Sequence, residues 1–187
     1  MNLRLLRTGL TLLLGLLLSL AAAATHGDDA EAPLEKRVKA AFIYKFATYV
    51  DWPASAFAAP DSPLVFGVLG DRAIAEEIGR AVNGRLIDAH PLQVRELRDG
   101  DDLKDVNVLF VGAGSALAPV LGASGVRPVL VVTEADSALS QGSVINFIVA
   151  DGRVRFEISA AGAEQRGLKL SSRLLAVAHN LRPGEAR

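Results

Sequence analysis

The chain has 187 residues, half of them hydrophobic, and it contains no cysteine. Disulfides, thiolate catalysis, iron–sulfur clusters and thiol-based redox sensing are therefore excluded. With 20 Lys and Arg against 21 Asp and Glu the formal charge is −1, without the basic excess expected of a nucleic-acid-binding domain.

Residues 1–24 read as a secretory signal peptide. Arg4 and Arg7 supply the positive start, Leu10 to Leu20 the apolar middle, and Ala22-Ala23-Ala24 the small-residue cleavage site. The other reading is an uncleaved membrane anchor. The apolar run from Gly9 to Ala24 is short for a span, and it contains Thr11, Gly15 and Ser19. Cleavage leaves about 160 residues with 18 Lys and Arg against 21 Asp and Glu. That length suffices for one domain with a substantial core and no disulfides. No later segment is apolar for long enough to span a bilayer, so the mature protein is expected to be exported and soluble.

Residues 25–34 form a small, polar leader, and the domain proper is expected over 35–181, with a short tail at 182–187. A helix is expected from about Pro33 to Val50. Pro33 suits a first helical turn. Val38, Phe42 and Tyr49 share one arc at helical spacing, and Ile43, Phe46 and Val50 form a second arc beside it. So wide an apolar surface predicts burial on more than one side, with Lys45 snorkelling at its edge. Asp51-Trp52-Pro53 ends the helix, because a residue before proline avoids helical angles. Trp52, the only tryptophan, reads as a lid over the core.

Alternating units follow. Leu64–Leu69 is a short apolar strand, and Asp71 is positioned to cap a helix over Arg72–Val82. His90–Leu97 reads as a strand and Arg98–Asp105 as a charged loop. Val106–Val111 is a strand, apolar but for Asn107. A short helix over Gly114–Leu121, a turn over Gly122–Arg127, a buried strand over Pro128–Val132 and a turn or short helix over Ser137–Ser140 lead to a hairpin. Strands joined through helices predict parallel pairing. The fold class is therefore α/β, with a mixed, mostly parallel sheet flanked by helices and a C-terminal β-hairpin followed by helices.

Asp151-Gly152 between two β-rich runs is the pair preferred in a two-residue type I′ turn. Counting outward, Ala150 faces Arg153, Val149 meets Val154, Phe147 meets Phe156 and Ile145 meets Ile158. The last six lie on one face, because strand side chains alternate, and that face is expected to be core. The other face receives Ile148 opposite Arg155 and Asn146 opposite Glu157, a mixed surface that also carries Val144.

Catalytic and metal-binding patterns are sparse along the chain. The histidines, His26, His90 and His179, are scattered and do not form a metal pattern. Gly112-Ala113-Gly114-Ser115-Ala116-Leu117 begins like a dinucleotide-binding turn, and Glu134 follows the next strand. Leu117, however, stands where close helix–strand packing needs Gly or Ala, so no cofactor is expected. Glu76-Glu77 and Asp101-Asp102 read as solvated charges, and nothing joins two carboxylates into an acid/base pair.

Two stretches go further. Lys39-Ala40-Ala41-Phe42-Ile43-Tyr44-Lys45-Phe46-Ala47, continuing to Val50-Asp51-Trp52-Pro53, resembles the opening signature of the YfiR-like family of periplasmic regulators. Gly142–Phe147, Arg153–Ile158 and Gly167–Leu175 resemble its closing signature, and Phe66–Asp71 with Val108-Leu109-Phe110 fit between. The likeness covers about residues 35–181. It implies a periplasmic regulator rather than an enzyme. Such a protein binds the periplasmic sensor domain of an inner-membrane diguanylate cyclase of the YfiN type and holds it inactive. That lowers cyclic-di-GMP and biofilm formation. Homodimers are known in the family, and the same domain also occurs attached to histidine kinases. Some relatives carry pairable cysteines; control by such a pair cannot operate here. On this resemblance the open hairpin face, with Asn146, Ile148, Arg155 and Glu157, is the expected partner contact. Lys169 and Arg173 join it, with Ser171 as N-cap of the last helix. Phe42, Tyr49 and Trp52 are expected in core or dimer contacts. The alternative is a periplasmic small-molecule sensor or carrier. A hydrolase would need a nucleophile, base and oxyanion donors that the sequence does not bring together.

Overall fold

A computed structural model describes residues 28–182, with side chains from Pro33 onward. The expected signal peptide, its cleavage site and His26 lie outside the described residues. Helix α1 (Asp28–Thr48) is followed by β1 (Val50–Asp51), a 3-10 turn (Ala54–Ala56), β2 (Leu64–Leu69), α2 (Arg72–Val82), β3 (Leu86–Ile87), β4 (His90–Leu97) and β5 (Val108–Val111). Then come α3 (Leu117–Ser124), β6 (Leu130–Thr133), α4 (Ala138–Gln141), β7 (Ile145–Ala150), β8 (Arg153–Ser159), α5 (Ala160–Gln165), β9 (Lys169–Leu170), α6 (Ser172–Ala176) and β10 (Asn180–Arg182).

The principal sheet has the order β10-β8-β7-β6-β5-β2-β4-β3, and β1 pairs with β9 in a separate ribbon. Strands β4, β2, β5, β6 and β7 run parallel, β3 and β8 are antiparallel to their neighbours β4 and β7, and β10 runs parallel to β8. This is the mixed, mostly parallel sheet flanked by helices that the alternating pattern predicts.

Every residue of β2, β5 and β6 is buried. Their unbroken apolar runs follow from coverage on both faces, which the crossover helices of parallel strands impose. On one face Phe66, Phe110 and Val132 pack with Ile43 and Phe46 of α1 and Ile74 and Ile78 of α2. On the other, Leu109, Val111 and Val131 pack with Leu117 of α3 and Ala138 of α4. Asn107, the polar residue before β5, is buried, and both polar atoms of its side chain are bonded. Its Oδ1 accepts from the Val65 amide at 2.8 Å and its Nδ2 donates to the Ala56 carbonyl at 2.8 Å. Asp71 caps α2 as expected, accepting from the Ile74 amide at 3.0 Å, and it also pairs with Lys36 at 2.8 Å.

Several boundaries differ from expectation for local reasons. Helix α1 begins ahead of Pro33, at Asp28, and stops at Thr48. Val50 and Asp51 leave it to pair with Leu170 and Lys169. The Trp52 indole Nε1 donates to the Ala47 carbonyl at 3.1 Å, satisfying one of the last-turn acceptors that a helix end leaves open. Helix α3 starts at Leu117 because Gly112–Ser115 is a turn, closed by the Ser115 amide donating to the Gly112 carbonyl at 3.2 Å. Ser115 packs over Gly70, whose φ is +82° and where a Cβ would lie 2.1 Å from Ser115 Oγ. Glycine is required there for both backbone and space. Strand β10 was not legible beforehand; the His179 amide donates to the Phe156 carbonyl at 2.9 Å and starts the pairing of Asn180–Arg182 with Glu157–Ser159.

Candidate docking surface on the hairpin

The β7–β8 hairpin has the register counted from its turn, from Ala150↔Arg153 to Ile145↔Ile158. Asp151 and Gly152 have φ of 53° and 66°, the two positive angles a type I′ turn needs. On the inner face Phe147 and Phe156 meet Phe42 and Phe46. Ring centroids lie 4.8 Å apart for Phe46–Phe156 and 5.5 Å for Phe42–Phe156. Edge-on and tilted pairs of this kind add to their burial energy. The expectation of a dry face fails at the outer end, where Val149 is 67% exposed.

The second face is divided by where β6 stops. Register places Thr133, its last residue, beside Asn146. From Phe147 outward β7 pairs with no strand on the β6 edge among the described residues. Asn146, expected on the open surface, is instead only 4% exposed. Its Oδ1 accepts from Thr133 Oγ1 at 2.8 Å and from the Ala135 amide at 3.1 Å. It ties β7 to the end of β6. Ile148 is half-buried and Arg155, opposite, is exposed. Glu157 is half-buried beside β10, where Asn180 Nδ2 donates to its Oε1 at 3.5 Å. The projecting strip thus offers an aliphatic side chain and a charged one side by side.

Lys169 and Arg173 are exposed but belong to β9 and α6. Their local frame is fixed by Ser171, whose Oγ accepts from the Leu174 amide at 3.3 Å as the N-cap of α6, and whose amide donates to the Tyr49 carbonyl at 2.9 Å. Phe42, Tyr49 and Trp52 are partly buried against the main core.

A polar cluster at the carboxyl ends of the parallel strands is only partly legible in the sequence. Lys39, on the buried side of α1, pairs with Glu134 at 2.6 Å, both side chains being little exposed. The other Glu134 oxygen accepts from the Ala113 amide at 2.9 Å. The turn that resembles a dinucleotide-binding loop therefore presents an amide to the chain's own carboxylate. In the sequence Glu134 is marked only by its place after the strand that follows the glycine turn, and the helix lysine that stands out beside the apolar arc is Lys45, which is exposed, rather than Lys39. A groove of about 370 Å³ opens nearby between the Arg98–Leu103 loop and α3, floored by Leu69, Leu97 and Leu103.

His90 stacks on Phe57 with ring centroids 3.6 Å apart, and its Nδ1 lies 2.7 Å from the Ser62 carbonyl oxygen. Among the described residues no group of His, Asp or Glu is arranged to hold a metal ion, and no helix is long and apolar enough to cross a membrane. No curated protein matches the chain closely enough to count as a relative. The YfiR/HmsC-like family model matches residues 36–179, from within α1 to the threshold of β10, and the chain belongs to the YfiR/HmsC-like family.

Proposed function

We propose that this protein is a periplasmic regulator that binds the periplasmic sensor domain of an inner-membrane diguanylate cyclase and holds the cyclase inactive, lowering cyclic-di-GMP and biofilm formation. Membership of the YfiR/HmsC-like family over residues 36–179 carries the reading, since it supports a regulator of cyclase signalling in general. The sequence of residues 1–24, read as an export signal, supports it. The docking strip is Ile148, Arg155 and Glu157, with Lys169 and Arg173 as a second set. Asn146 acts from beneath by holding β7 in place. Ile148 supplies apolar area, and Arg155 and Glu157 supply charge selectivity. A homodimer is the working assembly, with Phe42, Tyr49 and Trp52 near its contacts.

Regulation then needs no chemistry. The regulator prefers the cyclase's inactive state by about 1–3 kcal/mol, enough for a 5- to 150-fold change in the equilibrium. The test is recovery from the organism's own membranes with purified protein and with Arg155→Glu and Glu157→Lys variants. The parent should recover a membrane protein with a diguanylate cyclase output domain, and the folded variants should recover far less. Recovery of no membrane signalling protein by the parent would remove the reading, and equal recovery by folded variants would move the contact off the hairpin. The groove floored by Leu69, Leu97 and Leu103 favours the second reading, a small-molecule sensor, and a ligand there could tune the same regulator.

A further inference from the structure

Arg166, the C-cap residue of α5, is only 7% exposed. Its Nη1 donates to Ser124 Oγ at 3.1 Å and to the Gly125 carbonyl at 2.8 Å. Nε and Nη2 make no hydrogen bond among the described residues, yet neither is sealed from solvent. These two nitrogens form the side-on edge of the guanidinium, the fork that grips an oxyanion with two parallel hydrogen bonds.

A second arginine stands on the turn that carries these partners, its amide donating to the Ser124 carbonyl at 3.4 Å. Arg127, two residues beyond Gly125, is half-buried and donates through Nη1 to the Lys104 carbonyl and through Nη2 to the Leu103 carbonyl, at 2.7 and 2.9 Å. Among the described residues no carboxylate forms an ion pair with either arginine. Burial, and then the Arg127 charge, push the Arg166 pKa down from its ordinary value. Buried charges are normally paired, because desolvation costs several kcal/mol per ion. The C-terminal end of α3, where Arg166 binds, offers only a partial negative charge in return.

We propose that Arg166 and Arg127 form a binding site for a small oxyanion, a phosphate or carboxylate group held by the Nε–Nη2 edge of Arg166 and neutralised by both arginines. The site lies at the amino-terminal ends of β5 and β6, between α3 and α5, apart from the hairpin strip. It stands independently of how that strip is used.

The test compares thermal melts and calorimetric titrations of the purified protein in inorganic phosphate, succinate and chloride at matched ionic strength. Saturable stabilisation by phosphate or succinate over chloride is expected, and whichever is stronger identifies the oxyanion as phosphate or carboxylate. Arg127→Gln should weaken that binding about tenfold or more. Arg166→Lys, which keeps the charge and loses the fork, should do the same; if it does not fold, Arg127→Gln decides. Identical melts of the parent in all three salts, or undiminished affinity in Arg127→Gln, would overturn the proposal and leave Arg166 as a staple between α5 and α3.

Discussion

Replacing Asn146 by alanine separates a residue that builds the surface from one that meets a partner. The carboxamide oxygen accepts from Thr133 Oγ1 and from the Ala135 amide, and the side chain is 4% exposed. Without it, the Thr133 hydroxyl can turn to Ser143 Oγ at 2.9 Å or the Ile145 carbonyl at 3.3 Å. The Ala135 amide has no such substitute among the described residues. A half-buried donor such as the Ala135 amide, left unpaired, costs about 1 kcal/mol, the low end of the buried range, and the lost net bond to Thr133 about 1 kcal/mol, so Asn146→Ala should destabilise by about 2 kcal/mol. For a chain of this size each kcal/mol lowers Tm by about 2–4 °C, which gives a fall of about 4–8 °C. Urea unfolding followed by Trp52 fluorescence, and thermal melts by circular dichroism, read the change. Arg155→Ala is the control and should move stability by about 0.5 kcal/mol or less. An Asn146→Ala protein melting within about 1 °C of the parent would refute the account of Asn146 as a tie between β7 and β6.

Three further outcomes test the frame around the hairpin. Phe46→Ala removes a ring that is 1% exposed and packs on Phe42, Phe147 and Phe156; it should cost about 3–5 kcal/mol and lower the urea midpoint accordingly. Asp71→Ala removes the α2 cap and the Lys36 pair, and should cost about 1–2 kcal/mol by the same measurement. The hydrogen bond from Arg80 holds the Glu77 carboxyl below its ordinary pKa. The stability it adds is therefore present above the unfolded-state value and lost as pH falls through the folded one. Melts between about pH 5 and about pH 3 should be steeper for the parent than for Glu77→Gln; equal slopes would show that the pair does not couple to folding.

The parts of this fold legible in the sequence are those whose geometry is set locally. Asp151-Gly152 fixes both positive φ angles, and a two-residue turn leaves no freedom in register, so each hairpin pair could be counted. Asp71 before an amphipathic helix is likewise a local signal, and the apolar runs of β2, β5 and β6 carry their own evidence of burial. What was not legible depends on distant partners. Two-residue β1 and β9 have no periodicity and are strands only because they find each other. Asn180-Leu181-Arg182 holds one apolar residue, too short a run to carry a period, and it is a strand because it pairs with β8. Asn146 has the same place in the alternation as Ile148, and only the end of β6 at Thr133 decides that one is covered and the other is half open. The Lys39–Glu134 pair spans 95 residues and has no sequence signature, although Glu134 could be noticed from its spacing to Gly112.

The central claim is that the projecting half of the hairpin holds a membrane cyclase in its inactive state. The most direct measurement is cyclic-di-GMP production by the captured cyclase in its native membranes, titrated with purified parent protein and with the folded double variant Ile148→Asp/Arg155→Glu. The account predicts that the parent lowers production saturably, by about fivefold or more, and that the double variant leaves it near the untreated level. Unchanged production with the parent, or equal inhibition by the double variant, would contradict it.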